Sequence, residues 1–109
     1  MRVITGIAKG KRLKTLDGQD VRPTTERVKE AVFSIIQFEI EGRRFLDLFS
    51  GSGQMGIEAL SRGAKNAVFV DCRREAVNVI KSNLENTGLS HNALVINTST
   101  PEFSNRGRN

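Results

Sequence analysis

Leu46 to Leu60, LDLFSGSGQMGIEAL, runs from a short apolar stretch into glycines at 51, 53 and 56 and out into a second apolar stretch. Arg44 to Phe49 (RFLDLF) reads as a strand, and Met55 to Arg62 as a helix that Gly63 can end in a left-handed cap. A strand that enters a turn without side chains and leaves as a helix presents backbone amides at the carboxyl edge of a sheet. Nothing then blocks the close approach of a nucleotide or nucleoside. Asp71 stands twenty residues beyond Gly51, closing the next apolar run, Ala67 to Val70 (AVFV). A carboxylate at that strand end can accept hydrogen bonds from both hydroxyls of a ribose.

The bare pattern GxGxxG occurs by chance, but here a strand precedes it, a helix follows, and an acid closes the next strand. Asp47 bears on the ligand's identity. A pyrophosphate at the turn is disfavoured by a nearby carboxylate, whereas a ligand carrying an ammonium group is favoured. Asp47 therefore points to S-adenosylmethionine rather than NAD. It can also brace the loop through hydrogen bonds to loop amides, and the two roles are compatible.

Working outward, Arg73 to Asn86 reads as a helix with Ala76, Val77, Ile80 and Leu84 on one face, stopped by Gly88, and Ala93 to Ile96 as a third strand. Upstream, residues 2–6 (RVITG) and 12–15 (RLKT) are β-prone and read as a small hairpin around Gly6 and Gly10. Asp17 to Asp20 is a turn, Pro23 holds Arg22 extended, and Thr24 or Thr25 can cap a following helix. In that helix Val28, Ala31, Val32, Ile35 and Ile36 recur at helical spacing, with Arg27, Lys29 and Glu30 off the stripe, and it is expected to end near Glu41-Gly42. The order β-α-β-α-β with helices of this length predicts an α/β fold with parallel pairing and right-handed crossovers.

The chain has 109 residues, 38% hydrophobic and 27% charged, which fits one globular domain with a modest core. No apolar run approaches the ~20 residues of a membrane span, and no secretory h-region is visible, so a cytoplasmic location is expected. Cys72 is the single cysteine, so no intramolecular disulfide or cysteine metal cage can form. His91, the only histidine, reads as a surface residue, and no metal site is expected. The net charge of +5 is concentrated near the start, where residues 1–30 carry eight Lys/Arg against four Asp/Glu, while residues 31–97 carry seven of each. A local basic segment attracts a phosphate backbone, though it can equally be solvated surface charge.

The segments MRVITGIAKGKRLKTL, VRPTTERVKEAVFSII, FLDLFSGSGQMGIEALSRGA and AVFVD occur in that order and cover about residues 1–97. Together they resemble the RsmD-like family of 16S ribosomal RNA guanine-N2 methyltransferases. The resemblance implies a Rossmann-like class I S-adenosylmethionine-dependent methyltransferase fold. It also implies methyl transfer to the exocyclic amine of a guanine and contact with ribosomal RNA or the small ribosomal subunit. Carried onto this sequence, Asp47, Gly51, Ser52, Gly53 and Gly56 form the cofactor loop, Asp71 takes the ribose hydroxyls, and Arg22 and Thr24 lie at the edge of the site. Lys9, Lys11 and Arg12 are the implied phosphate contacts.

The family's Asn- or Asp-Pro-Pro-aromatic motif, which holds the target base, has no counterpart here, because the two prolines are Pro23 and Pro101. No catalytic residue is therefore assigned. The expected division is a basic β element at 1–22, the first half of the methyltransferase domain at 23–97, and a polar tail at 98–109. On the family's strand order, 3-2-1-4-5-7-6, these residues hold the 3-2-1 part, leaving the first strand an open edge where self-association or pairing with another chain can occur. The expectation is the N-terminal part of an S-adenosylmethionine-dependent ribosomal RNA methyltransferase that does not carry out transfer by itself, whether it is a gene fragment, a frameshifted product or an excised piece. An RNA- or cofactor-binding module and a piece of an NAD-dependent oxidoreductase are the alternatives.

Overall fold

The computed structural model describes residues 2–15, 23–36, 38–48 and 50–98, with side chains of the first helix from residue 27 onward. Three strands, β1 (Arg44–Leu48), β2 (Asn66–Asp71) and β3 (Ala93–Asn97), form one parallel sheet in the order β1-β2-β3. Phe45 pairs in register with Ala67, and Ala67 with Ala93. The connections are α2 (Gln54–Ser61) and α3 (Arg74–Thr87), the latter followed by a 3-10 turn at Ser90–Asn92. Gly63 and Gly88 take the left-handed conformations at the two helix ends.

Because side chains alternate along a strand, Phe45, Ala67, Phe69, Ala93 and Val95 share one sheet face, and they join Ile57, Leu60, Ile80 and Leu84 in the core. Leu46, Val68 and Leu94 line up on the opposite face, where Leu46 and Leu94 are exposed. β1 pairs only with β2 among the described residues.

The first helix, α1 (Pro23–Ile36), differs from the periodicity reading in two ways. It ends at Ile36, short of Glu41-Gly42. Among its described side chains the buried ones are Phe33 and Lys29, while Val28 and Ile35 are exposed. The reason is a polar anchor that outweighs the apolar stripe. Lys29 Nζ lies 3.2 Å from Glu58 Oε1 and donates to the Arg2 carbonyl, and both charged side chains are almost wholly buried. Phe33 stacks on Phe45 with ring centroids 6.2 Å apart, beneath the Arg62 guanidinium.

Among the described residues, the N-terminal segment forms no strand pair beyond one antiparallel bridge, Arg2 to Arg12. Val3 N donates to the Lys11 carbonyl and Gly10 N to the Val3 carbonyl, but the donors that follow Val3 turn to α2. The amides of Ile4 and Thr5 donate to the two Glu58 carboxylate oxygens at 2.8 and 3.0 Å, and Ala8 N donates to Ser61 Oγ. Gly6, at φ +90°, lies so close to α2 that a Cβ there would sit 1.9 Å from the Ser61 carbonyl oxygen. Val3, Ala8 and Leu13 consequently enter the common core. No described helix is long and apolar enough to cross a membrane.

Candidate functional site

Six of the residues expected at the cofactor loop converge at the carboxyl ends of β1 and β2. Ser50 closes the two strands: its amide donates to the Val70 carbonyl, and its hydroxyl donates to the Asp47 carbonyl and accepts from Val70 N. The chain then turns through Gly51 (φ +59°) and Gly53 (φ +81°), backbone conformations that favour glycine. Around Gly51 a Cβ would meet nothing within 4 Å, so this part of the turn faces open space. Gly53 packs on Ile80 and Phe69.

Asp71 Oδ2 accepts from Gly51 N at 3.0 Å and from Arg73 Nη2 at 3.3 Å, while Oδ1 accepts from Arg73 N and Nε. Burial pushes this carboxyl up, but the Arg73 side chain, the Arg73 and Gly51 amides and the Arg73 charge together hold it below the ordinary value. The Arg73 side chain itself is partly exposed. Asp47 Oδ2 accepts from Gly56 N at 3.1 Å. Its pKa is raised to about 6, chiefly by burial, with the Gly56 amide opposing and the Asp71 charge adding.

That shift fixes a sign. An Asp whose folded pKa is raised above the unfolded 3.8 contributes stability below 3.8 that is lost as pH rises through about 6. Asp47→Asn is therefore expected to be more stable than the wild type at pH 7 and to lose that advantage by pH 4. Urea midpoints at the two values check this, and an advantage independent of pH would refute it.

Gly56 serves packing. A Cβ on it would lie 2.3 Å from Phe69 Cε2. Gly56→Ala is expected to cost about 1–3 kcal/mol through overpacking, with part recovered in Gly56→Ala/Phe69→Leu, as read by thermal melts.

Arg22 lies outside the described residues, and Thr24 falls in the first turn of α1 without a described side chain. Lys9, Lys11 and Arg12 are exposed on the N-terminal loop, away from the core. Cys72 and His91 are exposed, and no group of three or more potential metal ligands exists among the described residues.

Two residues at the turn escape the sequence reading. Asn83, on α3, reaches the Ser52 carbonyl. Gln54, first in α2, holds a buried Oε1 without a hydrogen-bond partner among the described residues. Asn83 falls on the same helical face as Ile80 and Leu84, a signal that a polar residue within an apolar stripe could have supplied.

A parallel β-α-β-α-β sheet with a glycine turn after its first strand and an acid after its second defines the Rossmann-like fold of S-adenosylmethionine-dependent methyltransferases, present here as a partial sheet. The Escherichia coli protein yhhF, provisionally named a methyltransferase, superposes with a TM-score of 0.83 at 33% identity, covering 94% of this chain and 55% of that one.

The chain belongs to the RsmD-like family: residues 1–109 match the family model described as Conserved hypothetical protein 95. YlbH of Bacillus subtilis (strain 168), provisionally named an rRNA methyltransferase, is 50% identical over 95 residues, which is 87% of this chain and 52% of YlbH. Ribosomal RNA small subunit methyltransferase D of Haemophilus influenzae is 38% identical over 100% of this chain and 57% of its own length. The chain thus spans about half the length of these relatives.

Proposed function

We propose that this chain supplies the S-adenosylmethionine-binding part of a methyltransferase acting on 16S ribosomal RNA, with the exocyclic N2 of a guanine as the methyl acceptor. The observation that carries the reading is a pair of carboxylates, Asp47 and Asp71, beside a glycine turn that is open at Gly51. The site is rich in acceptors. A pyrophosphate would be repelled there, whereas a ligand with an ammonium group, a sulfonium and ribose hydroxyls fits. When bound, S-adenosylmethionine supplies an electrophilic methyl group.

This chain's residues bind and orient. Asp71 accepts the ribose hydroxyls in exchange for the Arg73 guanidinium, while its bond from Gly51 N keeps the carboxylate aimed along the turn. Asp47 braces α2 through Gly56 N and places negative charge where the ammonium is favoured. Ser52, Gly53 and Gly56 shape the loop, and the family resemblance assigns Arg22 and Thr24 to its border. No residue of this chain is assigned to the transfer step.

RNA is proposed to lie on the N-terminal loop, on Lys9, Lys11 and Arg12. Arg2 and Arg12 stand opposite one another at the bridge. Like charges placed so are unfavourable until an anion such as phosphate lies between them. Replacing Lys9, Lys11 and Arg12 together by alanine is expected to reduce the slope of log affinity against log salt by about 2–3 for a ribosomal RNA fragment.

Isothermal titration with S-adenosylhomocysteine and with NAD tests the cofactor reading. Stoichiometric binding of the former alone is expected, and binding of NAD alone would overturn it. Light scattering in the same buffer tests self-association along the β1 edge, where a mass above the monomer is the expected result.

A further inference from the structure

Asn83 belongs to none of the expected cofactor or RNA positions, yet its fully buried side chain touches both regions. Its Oδ1 accepts from Lys14 N at 2.7 Å, and its Nδ2 donates to the Lys14 carbonyl at 3.0 Å and to the Ser52 carbonyl at 2.9 Å. Both amide protons are thus used. One planar group pairs with the backbone of residue 14 as a neighbouring strand would, and its remaining proton fixes the middle of the glycine turn.

The Ser52 carbonyl and the Gly53 amide belong to one peptide plane. Asn83 holds the carbonyl, and the Ser50 carbonyl accepts from Gly53 N at 2.8 Å. Gripped at both edges, this peptide cannot rotate, and Gly53 is kept at φ +81°, ψ 11° as the residue that caps the start of α2. The N-terminal segment is tied at its other end to α2 through Glu58 and Ser61. Turn, helix, N-terminal segment and Asn83 therefore form a closed circuit, in which Lys9, Lys11 and Arg12 lie between the two ties.

We propose that Asn83 is a positioning residue that couples the basic N-terminal segment to the glycine turn, so that a ligand ordering one orders the other. The functional meaning rests on the cofactor and RNA reading given above. The mechanical coupling does not. A side chain that only filled space would leave the Lys14 and Ser52 backbones to open independently. A single amide bonded to both makes their opening one event.

Native-state hydrogen exchange of the 109-residue chain in rising urea tests this without any ligand. In the wild type the Lys14 and Gly53 amides are expected to follow one opening isotherm, with the same free energy and urea slope, below that of the Ala64 amide at the end of α2. Separate isotherms for Lys14 and Gly53 would overturn the coupling. In Asn83→Ala the two amides are expected to part, with Gly53 exchanging about tenfold faster relative to Ala64 although its own acceptor, Ser50, is intact. Equal acceleration of all three amides would mark a purely structural residue and overturn the proposal.

Saturating S-adenosylhomocysteine is then expected to slow Lys14 and Gly53 by the same factor in the wild type. Protection of Gly53 alone would overturn the coupling. Failure of the ligand to bind would count against the cofactor reading, with the shared isotherm still standing.

Discussion

Glu58→Gln is expected to destabilise the fold by about 3–5 kcal/mol, the cost typical of removing one partner from a buried ion pair. The wild-type carboxylate accepts from the Ile4 and Thr5 amides, lies 3.2 Å from Lys29 Nζ and 3.0 Å from Arg62 Nε, and is wholly buried. Glutamine brings one acceptor oxygen to four donors and removes the carboxylate charge 3.2 Å from the buried Lys29 ammonium. Urea denaturation measures the loss. In Lys29→Met/Glu58→Gln both members of the 3.2 Å pair are removed, so the double variant should lose less than the sum of the two single changes, and strict additivity would contradict the account. Burial raises the Glu58 pKa, but the Ile4 amide, Arg62, the Thr5 amide and Lys29 outweigh it and hold the group below 4.5. Its stabilising contribution is then present above pH 4.5 and fades as pH falls through the lower folded value, opposite in sign to that of Asp47.

Asp71→Ala is expected to lower the affinity for S-adenosylhomocysteine by about a hundredfold or more, because hydrogen bonds to a charged acceptor contribute about 1.5–3 kcal/mol each and two ribose hydroxyls lose theirs. The substitution also frees Gly51 N and the Arg73 guanidinium, leaving a positive group where the wild type holds a neutralised pair. Asp71→Asn separates these effects: it keeps an acceptor for Gly51 N and should bind better than Asp71→Ala but worse than the wild type. Calorimetry on both variants, with circular dichroism to confirm folding, makes the comparison. Wild-type affinity in both would remove Asp71 from the site.

What the sequence disclosed followed from how local each signal is. The β-α-β-α-β order, the parallel sheet, the glycine turn and Asp71 are written in short windows: apolar runs, glycines at strand ends, and one acid closing a strand. The membership of Ala76, Val77, Ile80 and Leu84 in one buried face was legible for the same reason. The orientation of α1 was not. Val28 and Ile35 satisfy helical periodicity and remain exposed, because Lys29 turns toward a carboxylate 29 positions away along the chain. Glu58 and Asn83 look like ordinary polar helix residues until the N-terminal backbone is laid against them. The predicted hairpin shrank to one bridge, with Val3 N and Gly10 N still bonding across it, because the Ile4 and Thr5 amides pair with Glu58 instead. Polar pairing across long separations leaves no periodic trace.

The ties of the N-terminal segment to Glu58, Ser61 and Asn83 span 53 to 69 positions. A chain made from its amino end at about 5–20 residues per second therefore holds residues 2–14 without these ties for several seconds, until α2 and then α3 have been synthesised. Throughout that interval the segment is a loose cationic arm. It docks fully only after both helices exist, so its closure waits on α2 and α3 and, by the same connections, reports whether those helices have come together.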